Sequence, residues 1–175
     1  MLEEIWDGIT VEFSDLPSLQ TATRLCVRLL LSATLGGLIG YEREWRGKDA
    51  GLRTHMLVCL GTTFVIAAAE QARMPFADLS RIIQGIMAGI GFVGAGAIIK
   101  RTDKSKVEGL TTAASVWFTA ALGIVIGMGR EASAVIGTLF ALGILVAIRE
   151  PTTRPKTSAR RAKVSAAERK WSGSD

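Results

Sequence analysis

The chain has one histidine, two cysteines, one tyrosine and four prolines among its 175 residues. One imidazole and two thiols cannot build a structural zinc site. Cys26 and Cys59 lie in separate apolar runs and read as small buried hydrophobes. No nucleophile, base and orienting group occur together, so neither an enzyme nor a cofactor is expected. The N-terminus carries Glu3, Glu4, Asp7, Glu12 and Asp15 with no basic residue before Arg24. It lacks the basic start and cleavage site of a secretory signal peptide, and none is expected. A basic groove is missing too. Residues Arg149 to Asp175 hold eight Lys and Arg against three acids, which accounts for the whole net charge of +5. The high pI therefore describes a tail, and nucleic acid is not an expected partner.

Long apolar runs are what the chain has in quantity. Hydrophobic residues make up 49% of it, clustered rather than spread. The clustering predicts an all-α membrane protein, a five-span helix bundle, with the lipid bilayer as solvent. The spans are expected at 23–41, 54–72, 82–99, 109–129 and 132–148. Leu2, Ile5, Trp6, Ile9 and Phe13 recur at helical spacing, so residues 1–22 read as an interfacial amphipathic segment. Residues 149–175 read as a basic cytoplasmic tail, either solvated and disordered or bound to anionic headgroups.

The third span reads IIQGIMAGIGFVGAGAIIK and has no charged side chain from Ile82 to Ile99, over 18 residues. Its five glycines are Gly85, Gly89, Gly91, Gly94 and Gly96. In a soluble helix each would cost about 1 kcal/mol relative to alanine. In lipid, small residues let backbones approach closely. At 100° per residue Gly85, Gly89 and Gly96 fall within roughly 40° of each other. Gly91 and Gly94 join Ala88 and Ala95 on a second flank. Two small flanks predict a helix packed on both sides, the centre of the bundle. Gly89-x-Gly91-x-x-Gly94 also spells the dinucleotide fingerprint, but no strand precedes it and no suitable acid follows. Gly36-x-x-x-Gly40 offers a second close-packing face in the first span.

The loop Tyr41 to Arg53 has four basic residues, Lys100 to Glu108 has four and the tail has eight. Arg73 to Arg81 has two and Gly129 to Glu131 has one. Basic segments thus alternate with poor ones. By the positive-inside rule the N-terminus lies outside and the tail in the cytoplasm.

That topology places Arg28, Glu70, Asp78, Arg81 and Gln84 at one depth near the outer surface. An ionisable residue inside a membrane is a functional candidate with a partner to be named. Arg28 is expected to pair with Glu70 or Asp78, either in a small polar pocket for a cation or as a structural tie fixing helix register. Asp78 is a natural cap for the glycine helix. On the inner side stand Glu42, Arg43, Glu44, Arg46, Lys48, Asp49, Arg53 and His55. If the loop starts helical, Glu42 and Arg46 form an i,i+4 pair. The interleaved cations satisfy the acids, so this loop reads as a salt-bridged docking surface rather than a Mg²⁺ site. His55 reads as a polar residue at headgroup level.

Four motifs in order carry a resemblance. They are GLIGYEREWRGKDAGLRTHMLVCLG from Gly37, DLSRI from Asp78, GIGFVGAG from Gly89 and GLTTAASVW from Gly109. Together they resemble the MgtC/SapB family of bacterial inner-membrane proteins. The resemblance implies a multi-pass plasma-membrane protein with a periplasmic N-terminus. It also implies a link to growth in low magnesium and, in pathogens, to survival in macrophages. The function implied is regulation through partners such as the ATP synthase, with Mg²⁺ transport as the alternative. A homo-oligomer is the third expectation. Asp78 matches the family's functionally important aspartate. Longer members carry a cytoplasmic domain after the last span, whereas 27 residues follow Ile148 here, which is short of such a domain.

Overall fold

The structure is a computed structural model that describes residues 1–12, 18–99 and 109–148. The basic loop 100–108, the tail 149–175, Phe13 and Asp15 lie outside the described residues. Among the described residues there are six helices: α1 Leu2–Glu12, α2 Leu19–Trp45, α3 Leu52–Gln71, α4 Phe76–Ile99, α5 Leu110–Gly127 and α6 Glu131–Ala147. Helices α2 to α5 are long and apolar enough to cross a membrane, and α6 is a shorter apolar helix. At 1.5 Å per residue the 17 residues of α6 reach roughly 26 Å, near the lower limit for a span. No residue of α1 is buried, so Leu2, Ile5, Trp6 and Ile9 present an apolar side that nothing among the described residues covers.

Helix α2 outruns the expected span at both ends. Ser18 starts it, its side chain accepting the Thr21 N–H at 3.1 Å. No proline and no positive-φ residue then occurs until Gly47, whose φ of +64° ends the helix. There Lys48 N–H donates to the Arg43 carbonyl and Gly47 N–H to that of Glu44, the pattern of a Schellman cap. Helix α5 ends the same way at Gly129, with φ +72°. Helix α3 does so at Arg73, which adopts φ +52° without being glycine.

The glycine helix is not the centre. More than half of the apolar window of α5 (56%) is buried, against 6% for α4. Helix α5 touches α2, α3, α4 and α6, whereas α4 rests on α5 and touches α3 only lightly. Glycines do bring helices close, but other ones. A Cβ at Gly36 would lie 2.7 Å from the His55 carbonyl oxygen, and one at Gly40 would lie 2.8 Å from Leu52 Cα. The expected face Gly36-x-x-x-Gly40 thus seats α2 on α3. Further along the same helix, a Cβ at Gly127 would lie 2.7 Å from Ile66 Cβ, and one at Gly123 would overlap Thr62. Helix α3 meets two glycine pairs four residues apart, one from α2 and one from α5. Among the described residues, a Cβ at Gly85, Gly89, Gly91 or Gly96 would meet nothing within 4 Å, and of the five glycines only Gly94 approaches a neighbour, Ala113 of α5.

Leu35, Ile39, Cys59, Leu122, Ile126 and Ala134 form the apolar core between α2, α3, α5 and α6. Cys59 is buried as expected, while Cys26 is exposed on α2. An exposed thiol in an apolar span faces the surrounding membrane rather than the bundle.

Candidate functional site

Two charged groups sit at opposite ends of the bundle, and α2 supplies the arginine of each. At one end Arg28 reaches from α2 to three other helices. Its Nη1 pairs with Glu70 near the end of α3 and donates to the Gly127 carbonyl of α5 at 3.0 Å. Its Nε lies 3.3 Å from Glu131 Oε1 at the start of α6. Each partner has a local reason to be there. Gly127 is the last residue of α5, so its carbonyl lacks the donor of a following turn. Glu131 opens α6, where the helix dipole favours an anion. Gly129 between them has no side chain, and a Cβ there would collide with the Arg28 guanidinium. The Arg28 side chain is only 17% exposed, while Glu70 and Glu131 are 48% and 41% exposed. Thr23, Arg24, Val27, Arg28, Gly129 and Glu131 line a cavity of about 280 Å³ beside this group.

The expected pairing of Arg28 with Glu70 is therefore present, and the one with Asp78 is not. Asp78, Arg81 and Gln84 lie exposed on the first turns of α4. Among the described residues none of the three has a hydrogen bond or ion pair to the Arg28 group. Asp78 is also not the cap of α4: the Pro75 carbonyl takes the first helical bond, from Leu79, and Asp78 sits inside the first turn. The cluster divides because α4 leaves the bundle at this end. Glu131 and the Gly127 carbonyl are the members that sequence reasoning missed. Glu131 was hidden in a three-residue turn, and a backbone carbonyl leaves no trace in sequence.

At the other end the loop does begin helical, and the Glu42–Arg46 pair forms, with Arg46 Nε 2.6 Å from Glu42 Oε1. Arg43 Nε donates to Glu42 Oε2 at 2.5 Å. Arg46 Nη2 donates to the Val146 carbonyl at the end of α6, 3.3 Å away. Glu44 Oε2 accepts the Leu52 N–H at 2.8 Å, capping α3 where Gly51 has no side chain to do so. Glu42 and Arg43 are buried, which removes both from any docking surface. Their charges face each other because the helix carries them under the packed end of α3. Glu44, Asp49 and Arg53 are exposed, and Lys48 is half-buried. His55 is not at a surface either: it is fully buried, its Nδ1 2.9 Å from the Gly51 carbonyl and its Nε2 3.1 Å from Ser115 Oγ of α5.

Between the two ends, α3 and α5 share a seam of small hydroxyl side chains. Thr63 Oγ1 donates to the Gly123 carbonyl at 3.0 Å, across the helices. Thr62, Ser115, Thr119 and Thr138 donate to carbonyls of their own helices. The hydroxyls are satisfied, as buried polar groups must be where no water reaches.

The chain is 46% identical over 129 residues to protein SrpB of Synechococcus elongatus, covering 67% of this chain and 71% of SrpB. It is 39% identical over 138 residues to YhiD of Escherichia coli K12, whose name describes a candidate magnesium transporter, covering 73% of this chain and 62% of YhiD. It is 38% identical over 128 residues to MgtC of Salmonella typhimurium strain 14028s, covering 73% of this chain and 54% of MgtC. The chain thus spans between about half and about 70% of the length of these relatives. No solved structure matches it. The MgtC family profile matches residues 29–154, which begins just after Arg28 and takes in its partners Glu70 and Glu131, the Glu42–Arg46 group and the apolar helices α3 to α6, and this membrane protein belongs to the MgtC family.

Proposed function

We propose that the chain is a regulator of ion homeostasis or membrane energetics in the bacterial inner membrane under low-magnesium or acid stress. It acts through other membrane proteins and not by catalysis. One observation carries the reading: among the described residues, α4 presents Gly85, Gly89 and Gly96 on a face where an added Cβ would meet nothing within 4 Å. In the same chain, glycines of this kind seat α2 and α5 on α3. An open small-residue face is the form of contact that transmembrane helices use to recognise one another. Arg28 and Glu42, by contrast, are already paired across or along helices and act as ties. The magnesium link rests on the name of YhiD, and the membrane placement on the family and on the apolar helices.

The test places a photo-crosslinker at Phe92, 84% exposed on the open side of α4, in cells grown at low magnesium. A discrete crosslinked membrane partner is expected. Gly89→Leu should lose both the crosslink and growth at low magnesium while the protein level holds. Growth that persists in a Gly85→Leu/Gly89→Leu chain sinks the reading.

The alternative is a cation transporter working from the Arg28 end, favoured by the cavity of about 280 Å³ beside Arg28 and Glu131. Mg²⁺ flux into liposomes that disappears in Glu131→Gln and Asp78→Asn would establish it.

A further inference from the structure

Arg24 lies one turn before Arg28 on α2, so the two guanidiniums start from one face of the helix. Like charges at that spacing repel each other. Arg28 is offset by Glu70 and Glu131. Arg24 is exposed and has no ion pair or hydrogen bond among the described residues. Arg28 is not saturated either. Its Nε and Nη1 donate to Glu131, Glu70 and the Gly127 carbonyl. Its Nη2 has no acceptor among the described residues and lies over Gly129, which has no side chain to cover it. A guanidinium carries five N–H groups, two of them on each Nη. Both arginines line the cavity of about 280 Å³, together with Thr23, Val27, Gly129 and Glu131. The start of α6 faces the same space, and its dipole is positive at that end. Glu131 is the one carboxylate of the lining, and its Oε1 is already taken by Arg28. What is left unclaimed there is positive: the Arg24 guanidinium and Arg28 Nη2.

The level of the cavity follows from α6. Arg28 meets Glu131 at the start of that helix, and Arg46 meets the Val146 carbonyl near its end. The 17 residues between measure roughly 26 Å, close to the thickness of the hydrocarbon core of a bilayer. The two charged groups therefore stand at the two boundaries of that core, where lipid phosphates lie. From the cavity inward, α2 turns an apolar stripe outward. Val27, Leu30 and Leu38 are exposed on it. Thr34 lies between them, its hydroxyl closed on the Leu30 carbonyl at 2.7 Å. Spacings of three and four residues keep all four on one side of the helix. Donors for an anion at the head of an apolar stripe suit a molecule with a phosphate and a hydrocarbon chain. A free phosphate would use only the first.

We infer that this cavity is a phospholipid site. The phosphate diester accepts from Arg24 and from Arg28 Nη2, and one acyl chain lies along the stripe from Val27 to Leu38. The bound anion offsets the repulsion between the two arginines. It also adds a lipid to the tie that Arg28 makes between α2, α3, α5 and α6. The site does not rest on the regulator reading, and it gives to an anion the space that the transporter alternative gives to a cation.

The test is native mass spectrometry of the full chain, stripped of lipid in detergent and titrated with phosphatidylglycerol. Diacylglycerol with the same chains serves as the probe without phosphate, and inorganic phosphate as the probe without chains. One tightly held phosphatidylglycerol per chain is expected. Diacylglycerol should bind at least about tenfold more weakly, and inorganic phosphate should not displace the lipid. Arg24 ties nothing in the bundle, so Arg24→Gln should keep the parent melting temperature while weakening phosphatidylglycerol about tenfold. Arg24→Lys should keep most of the binding. Arg81→Gln, on α4 at the same end, should change nothing. Equal binding of the two lipids overturns the proposal, as does an Arg24→Gln chain that binds like the parent. An equal loss in Arg81→Gln reduces the effect to general surface charge and overturns it too. Displacement by inorganic phosphate would make the cavity a site for a free anion and sink the lipid assignment.

Discussion

Gly36, Gly40, Gly123 and Gly127 sit against another helix, while Gly85, Gly89, Gly91 and Gly96 sit against none among the described residues. The two sets look alike in sequence, and the second is the denser. They differ in what lies opposite. Helix α3 lies against the first set and brings its backbone against theirs. Helix α4 turns its glycines outward and packs on α5 with the opposite face, where Gly94 meets Ala113. A glycine in a membrane helix therefore marks a permitted close approach. Whether the approach is made inside the chain or left for another molecule is a separate fact.

The comparison can be broken most severely at Gly123. A Cβ there meets Thr62 and the Cys59 carbonyl, and a backbone oxygen cannot rotate away. Gly123→Ala should cost about 3 kcal/mol, the upper end for overpacking, read as a lowered melting temperature of the purified protein in detergent. If Gly123→Ala melts like the parent, the close seating of α5 on α3 is not real. A smaller loss is expected at the Arg28 tie. Both of its carboxylates are more than a third exposed, so screening holds each pair to about 1 kcal/mol or less. Arg28→Gln should cost about 1–2 kcal/mol in all, and Arg28→Gln with Glu70→Gln should cost less than the sum of the two alone. On α4 the sign should reverse. Gly89→Ala meets open space and should raise stability by up to about 1 kcal/mol through helix propensity. Asp78→Asn should stay within about 0.5 kcal/mol of the parent. A strong loss in either α4 variant would mean that α4 already has a partner in the preparation.

Much of the site was legible in sequence, for reasons that differ from residue to residue. Arg28 stood out because a charge in an apolar run is costly, and Glu70 followed as the acid at the same depth. Glu42 and Arg46 followed from helical spacing. Asp78 also lay at that depth but on a helix that leaves the bundle, and depth alone carries no lateral position. Gly123 and Gly127 were missed because they lie in an uninterrupted apolar run with no polar mark to single them out. His55 was placed at a surface because a polar residue near a helix start is usually solvated. The fold encloses it by packing Gly36 and Gly40 on one side of its backbone and Ser115 against its ring.

By itself the sequence determined the apolar helices and their order. Each of these depends on local terms: apolar run length, backbone hydrogen bonds closed within a segment, and caps at Ser18, Gly47 and Gly129. Only the tertiary structure decided which helix lies in the middle, which glycines are used and which charges meet. Those depend on the surfaces of two helices fitting one another. An open face and a filled one are written with the same residues, and the difference appears only when the opposing backbone is in place.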